Sequence, residues 1–179
     1  QLEILFIDSV SFTKKLDKLP QYLSVLNFSG LMFNQKIDNL PLQLKKLYFW
    51  SEVFDQQLDN LPQSLEYLDI TSDRFNRSVD HLPQSLKCLI ISGYFFNQPL
   101  NNLPEQLKLL VLNTPNYDHP LDKLPHSLKV LKIHCPGFEH SLDNLPKSLK
   151  VLKTHGFTPK LNNLPISLTK IIANNRRLK

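Results

Sequence analysis

The sequence predicts an all-β repeat protein, a parallel β-solenoid of about eight 21-residue coils with almost no helix. Three observations predict it. A Leu-Pro pair recurs at Pro20, Pro41, Pro62, Pro83, Pro104, Pro125, Pro146 and Pro165, six times at a spacing of 21 residues and finally at 19. Each pair leads into Leu-x-x-Leu-x-Ile, as at Leu65, Leu68 and Ile70 or Leu128, Leu131 and Ile133, whose period of two suits a strand with one buried face. The 13 prolines leave no window long enough for an ordinary helix.

The repeat divides the chain into a partial unit over residues 1–11 and units starting near 12, 33, 54, 75, 96, 117, 138 and 157. No linker or change of composition interrupts it, so residues 1–179 read as one array. A unit holding one strand cannot pair that strand with itself. It must pair with its copies, in parallel, at ~4.8 Å per coil. Counting Leu2-Glu3-Ile4-Leu5-Phe6-Ile7, the sheet has eight or nine strands and a length of about 35–40 Å. The two residues missing from the last interval fall between Leu152 and Phe157.

The return path must avoid helix. Proline fixes φ and biases the leucine before it toward extended backbone, so Leu-Pro marks an extended, polyproline-like convex side. The aromatic column Phe12, Phe33, Phe54, Phe75, Phe96, Tyr117, Phe138, Phe157 is expected to stack inside as a spine. With only four glycines in the chain, the turns must rest on Asp17, Asp38, Asp59, Asp80, Asn101, Asp122, Asp143 and Asn162, whose side chains can bond nearby backbone amides.

These residues carry a resemblance. Phe96-Asn97-Gln98-Pro99-Leu100, with the LPxSLKxL core at Leu82–Leu89 and again at Leu145–Leu152, resembles the FNIP repeat. That repeat is a relative of the leucine-rich repeat (LRR), found in amoebae and in the giant DNA viruses that infect them. No copy here has Ile before the proline, only Phe96–Pro99 keeps Phe-Asn-x-Pro, and Tyr117–Pro120 is a degenerate version. The resemblance implies an LRR-like solenoid. It also implies a role as the substrate-recruiting part of a cullin-type ubiquitin ligase wherever an F-box precedes the repeats.

The bulk numbers narrow the classes further. A hydrophobic fraction of 41% is far above that of a disordered chain. The net charge of +5 permits acidic partners but is spread over many lysines. Cys88 and Cys135 lie in different coils and form no spaced pair, which argues against a disulfide scaffold or a zinc site and suits a reducing, cytoplasmic setting. No apolar run reaches the ~18 residues of a membrane span. Residue 1 falls inside a repeat, so the true start of the protein is expected upstream.

No enzymatic chemistry stands out, and no cofactor or metal is expected. Ser64, Ser85, Ser127, Ser148 and Ser167 form one column, as do the Asp/Asn residues. A group present in coil after coil serves the coil, whereas a catalytic triad needs singular residues converging from separate places. Lys45, Lys87, Lys108, Lys129 and Lys150 make a rim ladder interrupted by Glu66. Without interleaved aromatics it reads as a solvated stripe, and nucleic-acid binding through it is the third reading.

Singular residues collect on the strand face that points away from the core, the concave face. Its columns run Val25, Lys46, Tyr67, Cys88, Leu109, Val130, Val151, Lys170; then Asn27, Tyr48, Asp69, Ile90, Val111, Lys132, Lys153, Ile172; then Ser29, Trp50, Thr71, Ser92, Asn113, His134, His155, Asn174. Tyr48, Trp50 and Tyr67 cluster early, with Phe6 further out; Ile90, Leu109, Val111 and Val130 make an apolar middle; Lys132, His134, Lys153 and His155 turn the late coils basic. Folding does not require a solvent-facing tryptophan, and Trp and Tyr are over-represented in binding hot spots. His134 and His155 lie one coil apart, but the neighbouring columns offer a metal only Cys135 as a further ligand. The sequence thus predicts a non-catalytic module that grips a protein partner, with an assembly role lacking any discrete partner as the alternative. The apolar first strand is expected to favour self-association, while Ala173 and Asn174-Asn175-Arg176-Arg177 read as a partial cap at the other end.

Overall fold

The computed structural model describes residues 1–159 and 162–174. Nine strands of five residues follow one another: β1 (Ile4–Asp8), β2 (Val25–Ser29), β3 (Lys46–Trp50), β4 (Tyr67–Thr71), β5 (Cys88–Ser92), β6 (Leu109–Asn113), β7 (Val130–His134), β8 (Val151–His155) and β9 (Lys170–Asn174). They form one parallel sheet in chain order. Register advances by 21 residues from strand to strand, as in Ile4↔Val25 and Val130↔Val151, and by 19 at the last step, Val151↔Lys170. No helix occurs among the described residues. The predicted parallel β-solenoid is what the chain forms.

Alternation produces the sheet's two faces. In β2, β4 and β5 the second and fourth side chains are buried and the other three half-buried. Inward columns such as Leu26, Leu47, Leu68, Leu89, Leu110, Leu131 and Leu152 are at most 1% exposed. Behind them the aromatic spine forms as expected. From Phe33 to Phe138 successive rings stack at centroid distances of 5.8–6.4 Å with interplanar angles no greater than 18°. Phe138 and Phe157, flanking the shortened coil, tilt to 47° at 5.2 Å.

Turns, rather than a long polyproline run, shape the rest of each coil. The proline carbonyl accepts the amide of the leucine three residues on, as at Leu65→Pro62 and Leu86→Pro83, both 3.0 Å. The prolines therefore sit nearer the sheet than the sequence suggests: each opens the turn that launches a strand, and Pro41, Pro62, Pro83, Pro104, Pro125 and Pro146 are buried. A second turn follows the strand, as at Phe33→Gly30 (2.9 Å) and Phe138→Cys135 (3.0 Å). In the shortened coil this turn is replaced by Gly156, whose φ of 87° lets Phe157 follow the strand at once.

The polar columns tie one coil to the next. Ser85, Ser127 and Ser148 each donate a hydroxyl to the leucine carbonyl 20 residues earlier, at 2.6–2.7 Å. The Asp/Asn column sits at turns as expected, at Asp17, Asp38, Asp59, Asp80, Asn101, Asp122 and Asp143, but its side chains bond differently from expectation. Asp17, Asp59 and Asp122 meet side chains of the following coil (Asn39, His81, Asn144), and Asp143 takes the amides of Asn162 and Asn163, also one coil on. The bonds run between coils, not within a local turn. A further ladder has no counterpart in the sequence reading: the amides of Asp55, Asn76, Asn97 and Asp118 each donate to the side-chain oxygen of the residue 21 positions back. This accounts for Asn34, Asp55, Asn76 and Asn97, the polar residues that follow four of the spine aromatics.

At the sheet's ends, Ile4 and Phe6 are 51% and 72% exposed, and every β9 position is exposed. Asn175, Arg176 and Arg177 of the expected cap lie outside the described residues.

Candidate functional site: the open face of the sheet

The three outward positions of each strand align into the three columns expected, so the register places every candidate residue on the face opposite the core. At the early end the Tyr48 and Tyr67 rings lie 4.7 Å apart, tilted by 38°. Trp50 is 40% exposed. It stands two residues further along β3, between Ser29 and Thr71 in register, outside that ring contact.

Asp69 follows Tyr48 in the central column and received no role from the sequence. It is half-buried, and its one side-chain hydrogen bond is from the Thr71 hydroxyl at 3.4 Å. Burial raises its pKa, with Thr71 pulling the other way. Burial and then the Asp69 charge push the Tyr67 phenol up to about 12, and the Cys88 thiol is lifted to about 11, again by burial before Asp69. Both effects favour the protonated form of the Cys88 thiol. What could have drawn attention to Asp69 is its solitude: it is the one acid in the three outward columns from β2 to β9.

The middle of the face is apolar. Ile90 and Leu109 are half-buried, while Val111 is only 8% exposed, so it supplies floor more than contact surface. Its register partners Ile90 and Lys132 flank it on both sides, which explains burial at a nominally outward position.

At the late end, Lys132 pairs in register with Lys153, and His134 with His155. The two imidazoles meet edge to face at 4.4 Å. They border a shallow depression of ≈ 310 Å³, with Val111, Asn113, Ile172 and Asn174 on its other sides. Burial first and the charge of His155 second lower the pKa of His134. Cys135 cannot join this pair: it is fully buried on the opposite side, its Sγ 3.4 Å from the Thr114 hydroxyl. Among the described residues no group of three His, Cys, Asp or Glu is placed to hold a metal ion. On the rim, Lys87 pairs with Glu66 at 2.7 Å, and that bond holds the Glu66 carboxyl below its usual range.

Fold and face together define a solenoid of leucine-rich-repeat type, a class that displays extended surfaces for binding proteins. The FNIP Repeat family model matches residues 33–73 and 54–94, so this stretch of the chain carries FNIP repeats. The crystal structure of CroV588, described as a novel circular LRR protein structure, is 25% identical and aligns with a TM-score of 0.47 over 98% of this chain. The chain spans 37% of that protein's length. No curated protein matches the sequence.

Proposed function

We propose that the chain is a non-catalytic recognition module whose open face binds a protein partner, with Trp50, Tyr48 and Tyr67 as the energetic centre. The observation that carries this is Trp50, a large aromatic left 40% exposed on a sheet face beside a tyrosine pair. Repeated columns account for the aromatic spine of the core, whereas Trp50 lies outside it and serves no coil. Buried aromatic anchors dominate binding energies, typically at 2 kcal/mol or more apiece. Ile90 and Leu109 extend the apolar contact, and Lys132, His134, Lys153 and His155 bound it. A narrower form of the reading, implied by the FNIP resemblance, is substrate recruitment to a ubiquitin ligase. Co-purification of the natural gene product with a cullin complex tests that form.

Affinity capture with the folded chain, followed by the same capture with Trp50→Ala and Tyr67→Ala, tests the reading. A discrete partner should bind the unmodified chain and weaken at least about tenfold with each variant. Substitution of Leu42, 79% exposed but off the sheet, should leave the partner bound. Loss through Leu42→Ala with retention in both aromatic variants would place the interface elsewhere.

A further inference from the structure

Basic side chains meet acidic ones of the neighbouring coil at four places among the described residues, whereas the rim lysines Lys108, Lys129 and Lys150 follow one another in their column with no acid between them. Arg77 meets Asp55 at 2.7 Å, Lys87 meets Glu66 at 2.7 Å, and His81 and His140 meet Asp59 and Asp118 at 3.1 and 2.8 Å. Across β7 and β8 the open face does the opposite. Lysine stands beside lysine and histidine beside histidine on the same pair of strands, and like residues in such cross-strand positions repel when charged. Among the described residues no carboxylate relieves them: the outward columns of β5 to β9 hold Cys88, Ile90, Ser92, Leu109, Val111, Asn113, Val130, Val151, Ile172 and Asn174 besides these bases and Lys170. The uncompensated charge is set around a formed depression with an apolar floor and two amides, Asn113 and Asn174, on its edge. Repulsion between these bases, when charged, contributes nothing to folding. An anion seated there would relieve it.

We propose that the depression over β7–β9 receives carboxylate side chains, so that the partner presents an acidic, partly apolar polypeptide segment to the late coils. The inference rests on the recognition reading and names the partner's chemistry at one end of the face. A polypeptide fits better than a nucleic acid. The basic ground spans three strands, about 10 Å at sheet spacing, and gives way to apolar Ile90 and Leu109 and then to Asp69. A phosphate backbone would need basic groups along its track and would meet Asp69 as a repulsive group.

The groups facing His134 are Lys132 on its own strand, His155 and Lys153 on β8, and Asn113 on β6. All are cationic, neutral or titrating toward positive charge, so a bound carboxylate must raise the His134 titration midpoint. NMR titration of the folded chain with hexaglutamate at low salt measures this, with inorganic phosphate and hexathymidylate in parallel. The expected result is saturable movement of the His134 and His155 ring signals by hexaglutamate, a higher His134 midpoint, and weakening as salt rises. Lys132→Gln with Lys153→Gln should weaken binding about tenfold or more without altering the backbone spectrum. Trp50→Ala and Tyr67→Ala should leave the hexaglutamate response intact. Silence of both histidines toward hexaglutamate overturns the proposal, while partner capture sensitive to Trp50 would still support the wider reading. Equal or stronger movement with hexathymidylate or with inorganic phosphate alone also overturns it.

Discussion

Ser85 and Tyr117 each carry one hydroxyl into the coil stack, and the two meet different surroundings. Ser85 donates to the Leu65 carbonyl of the preceding coil at 2.7 Å. The Tyr117 hydroxyl is buried with no partner among the described residues, and burial accordingly raises its pKa. A made hydrogen bond contributes about 1 kcal/mol, and an unmade buried one costs about 1–3. Removing the same group should therefore act in opposite directions. Ser85→Ala is expected to lower stability by about 1 kcal/mol, and Tyr117→Phe to raise it by a similar amount. Urea midpoints at unchanged slope check both, and matching signs would refute the account. At this scale the sequence was only half legible. A column of serines shows that each coil needs a hydroxyl, but not which carbonyl receives it. The Asp/Asn column marked the turns correctly but not its partners, because local bonding is those residues' usual habit, whereas here they meet Asn39, His81 and Asn144 of the next coil.

Among the elements, the strands and their faces could be read from the sequence because alternation and the 21-residue step leave one register that buries the second-position leucine of each strand from β2 to β8. The candidate face followed from the same step, which is why Lys132, Lys153, His134 and His155 fall together where expected. What did not follow were features decided by side-chain packing: the contact of Tyr48 with Tyr67 without Trp50, and the burial of Val111 by its neighbours. The turn at the shortened coil lies between these cases. Two missing residues announced an irregularity, and Gly156 is how the backbone absorbs it, at φ 87°. A Cβ at Gly156 would lie 2.9–3.1 Å from Pro136 atoms, whereas at Gly137 it would meet only the Pro115 carbonyl at 3.9 Å. Gly156→Ala should cost at least about 1–2 kcal/mol from the left-handed backbone alone, with the clash added. Gly137→Ala should be neutral or stabilising by up to about 1 kcal/mol. Thermal unfolding of the two variants decides it, and equal effects would mean that Gly156 does not carry the shortened turn.

In the molecule as a whole, each strand contacts only the strands before and after it, so stability is set coil by coil and by the junctions between coils. This yields an unusual expectation for deletions. Removing residues 75–95 takes out one whole coil with β5, yet it leaves β4 and β6 able to pair as Tyr67↔Leu109, Leu68↔Leu110 and Asp69↔Val111, the register that β5 now mediates. Phe54 would stack on Phe96, and the Asn97 amide would reach Asp55 as Asn76 now does. The chain should remain folded and unfold cooperatively, with a urea slope reduced by roughly one coil in eight. Deleting Lys87 alone removes far less material and should do more harm. With the Pro83–Leu86 turn held in place, Cys88 moves into the vacated position. Leu89 and Ile91, each 1% exposed, are then carried toward the open face, because a slip of one residue reverses a strand's two sides. The Lys87 deletion should lose cooperative unfolding or bind a hydrophobic dye that the 21-residue deletion does not. If the larger deletion unfolds the chain while the smaller one is tolerated, the coils do not act as independent, register-matched units.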